Sequence, residues 1–310
     1  MSLKNILNKF ASSYLFVLSV SLLVSLLFPT QTVKLASFST LFLGSIFFLS
    51  ALKIDLRETL GYFKDKAMFV VVILVMLILL PIAVYFVTLS LVPNLAIAFL
   101  LLAVMPCGMT APLLSEICGG KQSLALVLTI STSLLAPFTV PIVIKVLAGA
   151  NVDVSMYDMF VSLAKVIFIP FILANIVKYF WYKKIQPAYK SFKSISTVLL
   201  GLLIVSVVSQ QADVIIGGLQ GKFLFYLFLT FVFFIIVHFL GYFVVFWRDK
   251  KDRITITICI SYMNFTLAIY LAGKFFVDPN IVIPVILSVL PWSILLIPFK
   301  FIIRKLKLVN

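Results

Sequence analysis

Apolar runs long enough to cross a bilayer follow one another almost without pause along this chain. Residues 12–30, 35–52, 67–91, 94–118, 123–148, 157–181, 194–212, 222–247, 254–276 and 281–303 are each dominated by Leu, Ile, Val and Phe, and the polar positions gather in the short intervals between them. A hydrocarbon core about 30 Å thick is crossed by roughly 20 helical residues. Lipid offers no partner to an exposed N–H or C=O, so such runs become helices that satisfy their own backbone. The pattern predicts an all-α polytopic membrane protein of ten transmembrane helices, with the second and seventh the shortest. The opening MSLKNILNKF leads into the first run without a small-residue cleavage site, so that run reads as a helix and not as a removed leader.

Two of the ten segments carry a break at mid-length. In the fourth, AVMPCGMTAPLLSE places Pro106, Gly108, Thr110 and Pro112 where a continuous helix would need residues that keep its ladder, and in the ninth, ISYMNFTLA gathers Ser261, Asn264 and Thr266. Segments four and nine hold the same place in two five-helix halves. Because five is odd, those halves enter the membrane from opposite sides, which is the inverted-repeat plan of many secondary transporters. Backbone groups freed in lipid cost several kcal/mol each, so the two breaks are expected to face one shared polar cavity. The mixed segment IDLRETLGYFKDK, with Leu56, Leu60 and Phe63 among charges, is expected to lie along the membrane surface.

Composition agrees with lipid as the main solvent: 63% of the 310 residues are hydrophobic and only 11% charged, where a soluble domain has about 25%. A net charge of +15 would point to nucleic acid if the basic residues formed a face. They do not. With alternating helices, twenty of the 25 lysines and arginines fall on one side with both termini, four (Lys34, Lys145, Lys222, Lys274) on the other, and Lys165 inside the sixth segment. That bias places both termini in the cytoplasm of a plasma (inner) membrane. It leaves no basic surface for nucleic acid, so membrane lipid is the expected macroscopic partner. Cys107, Cys118 and Cys259 lack the spacing of a disulfide framework or a metal site. No cofactor is expected, and no cluster of titratable residues within the membrane suits enzymatic acid, base or metal chemistry.

Residues 106–141, PCGMTAPLLSEICGGKQSLALVLTISTSLLAPFTVP, resemble the bile acid:sodium symporter family, in which an interrupted helix precedes a Ser/Thr-rich helix ending in Leu-Ala-Pro. FLGSIFFLSALKIDLR in the second segment, HFLGYFV in the eighth and MNFTLAIYLA in the ninth extend the resemblance over nearly the whole chain. It implies a panel domain of helices 1, 2, 6 and 7 (12–52 and 157–212) and a core domain of helices 3–5 and 8–10 (67–148 and 222–303). Helices 4 and 9 cross in the core, two sodium ions bind behind the crossing, and an organic anion binds between the domains, which move against each other.

The resemblance also shows what this chain lacks. The family's Ser-Asn pair falls on Ala111 and Pro112, and a further serine falls on Ala125, while a threonine ligand is kept at Thr129. In the ninth segment the family's Glu falls on Cys259 and its Gln on Met263, with Asn264 retained. Sodium takes hard oxygen ligands, which a thiol, thioether, methyl or proline side chain cannot supply. Two intact sodium sites are therefore not expected, and coupling to fewer sodium ions or to a proton stays open.

Thr110, Thr129 and Thr132, with Ser131 and Ser133, are candidate ion or substrate ligands, the alternative being hydroxyls that bond their own helix carbonyls. Asn264, with Ser261 and Thr266, either donates to an anion or locks the ninth helix against the fourth. Lys165 is either a fixed positive charge in the cavity or a side chain that snorkels to the interface. His238, three residues before Gly241, reads as a packing or hydrogen-bonding histidine, with proton transfer as the alternative. Pro106 and Gly108 are structural. Glu116 is expected on the cytoplasmic side near Lys121, and Gln210 and Gln211 at the outer vestibule. Cys107 follows Pro106 as in arsenite-efflux permeases, so an arsenite or oxyanion efflux permease is one rival reading and a non-transporting receptor or scaffold is another.

Overall fold

The computed structural model describes residues 14–53, 66–149, 154–210, 212–213, 216 and 222–305, and among them every regular element is helical. In chain order these are α1 (Tyr14–Leu27), α2 (Pro29–Leu52), α3 (Ala67–Leu91), α4 (Pro93–Ala103) and α5 (Ala111–Ile117). They continue with α6 (Gln122–Ala148), α7 (Met156–Ile185), α8 (Tyr189–Gln210), α9 (Phe223–Phe243), α10 (Lys250–Ser261), α11 (Phe265–Phe275) and α12 (Pro279–Lys305). Seven of them, α2, α3, α6, α7, α8, α9 and α12, are long and apolar enough to cross a membrane. Their outward faces carry exposed Leu91, Val146, Phe228 and Ile297, side chains that only lipid solvates without cost.

The fourth and ninth predicted segments each appear as two helices, α4 with α5 and α10 with α11, broken where the polar residues cluster. The second segment starts earlier than its pattern suggests, at Pro29, whose fixed φ suits a first helical turn. The sixth runs on past 181 to Ile185, through a kink at Trp181, because Lys183 and Lys184 in the last turn are helix formers that also favour its negative end. The eighth stops at Phe243, short of 247. In α3 the turn over Val75–Leu79 widens to π geometry just before Pro81, which has no N–H to close an ordinary turn. Residues 54–65 of the surface segment, and Gln211, lie outside the described residues.

Polar side chains set the starts of four helices among the described residues. Ser155 accepts from the Asp158 N–H at α7, Asp249 from the Asp252 N–H at α10, Asn264 from the Leu267 N–H at α11, and Asp278 from the Asn280 N–H at α12, each satisfying a donor the first turn leaves over. α2 packs against α7 and α8, and α1 against α8; α6 packs against α5, α7 and α10, α9 against α10 and α12, and α4 against α3 and α12. The close fit of α9 on α10 depends on Gly241, where a Cβ would sit 3.1 Å from Thr257 Cα. His238 lies one turn before it with Nδ1 2.7 Å from the Phe234 carbonyl and its ring edge-on to Tyr262 and Phe299. His238 and Gly241 thus both lie in the contact of α9 with its neighbours.

Candidate functional site

Pro106 has no N–H, so the chain leaves α4 in extended form through Cys107 and Gly108. On the other side of the crossing, α10 ends at Ser261, the chain bends at Tyr262, and a γ-turn at Asn264, with Phe265 N–H on the Met263 carbonyl at 2.8 Å, leads into α11. The two non-helical stretches run antiparallel and complete each other: Gly108 N–H donates to the Tyr262 carbonyl at 2.9 Å and Asn264 N–H to the Pro106 carbonyl at 2.8 Å, bracketing Cys107 and Met263. A third freed donor, the Cys107 N–H, is taken by Thr132 Oγ1 of α6 at 3.1 Å. The demand that broken backbone find partners away from water is met by the two breaks serving one another. Gly108 is required here, because a Cβ would run into the Tyr262 carbonyl oxygen.

A cavity of about 900 Å³ opens beside the crossing, within the range of organic-ligand sites. Thr110, Pro112, Thr129, Met263, Asn264 and Thr266 line it, so these six sequence candidates are brought together. Four others are not. Ala111, Thr132, Cys259 and Ser261 are fully buried off the cavity. Thr132 donates to its own Leu128 carbonyl at 2.7 Å while it accepts from Cys107. The Thr129 hydroxyl lies 2.8 Å from the Ala125 carbonyl and 3.1 Å from Cys107 Sγ. Cys107, in the crossing, and Cys259, in the last turn of α10 before it, are both fully buried.

Asn264 is the most informative residue in the wall. Its Oδ1 caps α11 by accepting from Leu267 N–H at 3.1 Å, which leaves the amide Nδ2 as a donor. That Nδ2 is buried, has no protein partner, and belongs to a residue lining the cavity. A buried unsatisfied donor costs about 1–3 kcal/mol. The positive end of the α11 dipole adds to the attraction for an anion at the same place.

Lys165 is exposed on α7, on the stripe that carries exposed Ile169, Ile172 and Ile176, and is absent from the cavity wall. The inward face of α7 is Ser162, Leu163, Val166, Ile167, Pro170 and Ala174, so the helix rotation turns Lys165 outward and leaves the ammonium to snorkel. Gln210 is also off the cavity, with Nε2 on the Ser206 carbonyl at 2.8 Å. Glu116 is exposed. Lys121 instead bonds Asp249 at 2.9 Å and Asp252 at 2.7 Å, and Arg248 holds Asp252 from its other side at 3.0 Å.

This cluster pins the turn after α5 to the start of α10. Lys121 N–H donates to Thr255 Oγ1 at 2.7 Å, and Gly120 fits because a Cβ would press on Ser115 and Thr255. Burial pulls the Lys121 pKa down, but the bonds to Asp252 and Asp249 outweigh it and leave it raised; burial pushes Asp249 up, but the Lys121 bond outweighs that and leaves it lowered.

Two functional candidates escaped the sequence reading. Lys53 and Lys193 line the cavity and are its charged residues, with no carboxylate among the described residues of its wall. Counting them as loop cations for topology hid them. The available signal was helical spacing, which puts Ile46, Ser50 and Lys53 on one face of the second segment's end, and Tyr189, Phe192, Lys193, Ser196 and Leu200 on one face of the seventh's start.

Against known proteins, the chain matches the sodium bile acid symporter family over residues 40–218, more than half its length. The chain belongs to that family. It is one of transporters, and with the apolar helices described above it makes this protein an integral, multi-pass membrane protein. The chain is also similar to YocS of Bacillus subtilis (strain 168), an uncharacterized sodium-dependent transporter, at 23% identity over 188 residues; that region is 60% of this chain and 59% of YocS, under two thirds of the relative's length. The family match takes in α2 to α8, hence the first break, Lys53 and Lys193. The second break lies beyond it and stands on geometry.

Proposed function

We propose that this protein is a secondary transporter that carries an organic anion across the plasma membrane through the cavity beside the crossed breaks. One observation carries the reading: Asn264 Nδ2, a buried donor without a protein partner, stands in a wall of about 900 Å³ of open space at the start of α11. The family supports transport, and the absence of a carboxylate among the described lining residues supports an anion as cargo.

In this reading the chain forms ten transmembrane helices in two inverted halves, with α4–α5 and α10–α11 as equivalent crossing helices and both termini in the cytoplasm. α1, α2, α7 and α8 make a panel and the remaining helices a core, and their relative motion exposes the cavity to each side in turn. YocS is described as sodium-dependent, but the buried groups around this crossing include Cys107, Cys259 and the hydroxyls of Thr129 and Thr132, which bond their own helix carbonyls. That set suits sodium poorly, so transport here runs with fewer than two sodium ions per cycle. Flux of a panel of organic anions into proteoliposomes, each under a sodium gradient, a potassium gradient and a pH gradient, tests the reading. Anion uptake that persists without sodium and is lost in Asn264→Ala is expected, and no flux of any organic anion under any gradient would sink it.

A further inference from the structure

Among the described residues, charge in the cavity wall comes from Lys53 and Lys193. Lys53 directly follows α2, and Lys193 lies in the second turn of α8. The two ends are tied together, because Tyr189 OH donates to the Leu52 carbonyl at 2.8 Å, and Lys53 Nζ stands 5.7 Å from the centre of the Phe192 ring. The facing wall, from α5, α11, α12 and their junctions, offers neutral polar groups: Thr110, Asn264, Thr266 and Ser293. Two ammoniums beside apolar walls repel each other, and an anion between them converts that repulsion into attraction. Burial, and then the neighbouring Lys193 charge, both lower the pKa of Lys53.

We propose that Lys53 and Lys193 form the anion subsite of this cavity, holding the carboxylate or sulfonate end of an amphipathic cargo whose apolar body lies along Ile46, Phe47, Met109 and Leu113. The inference rests on the transport reading above and adds to it the polarity of the cargo. The acidic end sits on the α2–α8 wall, and a polar group further along the molecule reaches the Asn264 amide on the other wall. A cargo so held spans both walls, whereas an anion with no apolar body engages the lysines alone. An anionic lipid headgroup has the same charge chemistry, so the test must separate the two sources.

Binding to the purified full-length protein in phosphatidylcholine nanodiscs, with cholate and dodecanoate each paired with its uncharged methyl ester, provides that test. Wild type is expected to prefer at least one acid over its ester by about tenfold or more. The Lys53→Gln/Lys193→Gln double variant should bind acid and ester alike, and the Lys53→Arg/Lys193→Arg variant should keep the preference. Thermal unfolding confirms that each variant is folded. A double variant with the wild-type preference overturns the subsite, as does a wild type that binds no acid better than its ester. Lysines that serve lipid show themselves differently: phosphatidylglycerol stabilises wild type but not the double variant while acid binding is the same in both, and that also overturns it. Failure of the transport reading is distinguishable, since it appears in wild type as absence of flux for every organic anion in proteoliposomes.

Discussion

Asn264 does two jobs with two atoms, and substitution can separate them. Its Oδ1 caps α11, and its Nδ2 is buried without a protein partner in a residue that lines the cavity. Serine caps a helix about as well as asparagine, whereas alanine costs about 1 kcal/mol at such a position. Asn264→Ser is therefore expected to melt close to wild type and yet lose most anion uptake, while Asn264→Ala loses uptake and about 1 kcal/mol of stability as well. Thermal unfolding of the purified protein alongside proteoliposome flux reads both effects. Lys165 makes the opposite case. With its ammonium on the outward stripe of α7 and away from the cavity, Lys165→Met should leave uptake at the wild-type rate and change stability by no more than about 0.5 kcal/mol. A large fall in flux would return Lys165 to the pathway.

Between helices, the Lys121–Asp249–Asp252–Arg248 cluster fastens the α5–α6 turn to α10, so the two crossing units meet at this polar end as well as through the bonds at their breaks. Asp249 has its pKa lowered by folding, so its contribution is fully present above the ordinary value of 3.8 and is lost as pH falls through the lowered folded value. Lys121 has its pKa raised, so its contribution is fully present below 10.5 and is lost as pH rises through the raised value. Both side chains remain partly exposed, which limits the pair to about 1 kcal/mol. The melting difference between wild type and Asp249→Asn should hold steady through neutral pH and shrink toward zero in acid. A gap that widens in acid contradicts this assignment. The breaks themselves were legible in the sequence, since Pro106, Gly108 and the Ser261–Thr266 cluster cannot continue a helix in lipid unaided. This polar fastening was not: Lys121 and Asp252 are 131 positions apart along the chain, and nothing local pairs them.

Across the whole molecule, the proposed orientation rests on the distribution of basic residues, and labelling can check it. Cys107, Cys118 and Cys259 are all buried, so native thiols contribute little background. With both termini in the cytoplasm, Lys222→Cys should react with a membrane-impermeant maleimide on intact cells, and Lys183→Cys only after the membrane is permeabilised. The reverse pattern inverts the topology, and with it the side from which Lys53 and Lys193 meet the cargo.

What the sequence determined by itself was whatever lipid enforces locally: where the chain is helical, where it is interrupted, and that the interruptions need partners. Those constraints act on backbone groups within a few residues, so composition and spacing record them. Only the tertiary structure decided which side chains face the cavity. Each successive residue turns about 100° around a helix, and the packing of α2, α7 and α8 sets that rotation. It sends Lys165 outward and Lys53 and Lys193 inward, although in the sequence all three are single lysines within or beside apolar runs. The same packing buries Cys259 and Thr132 away from the cavity and brings Asn264 into its wall.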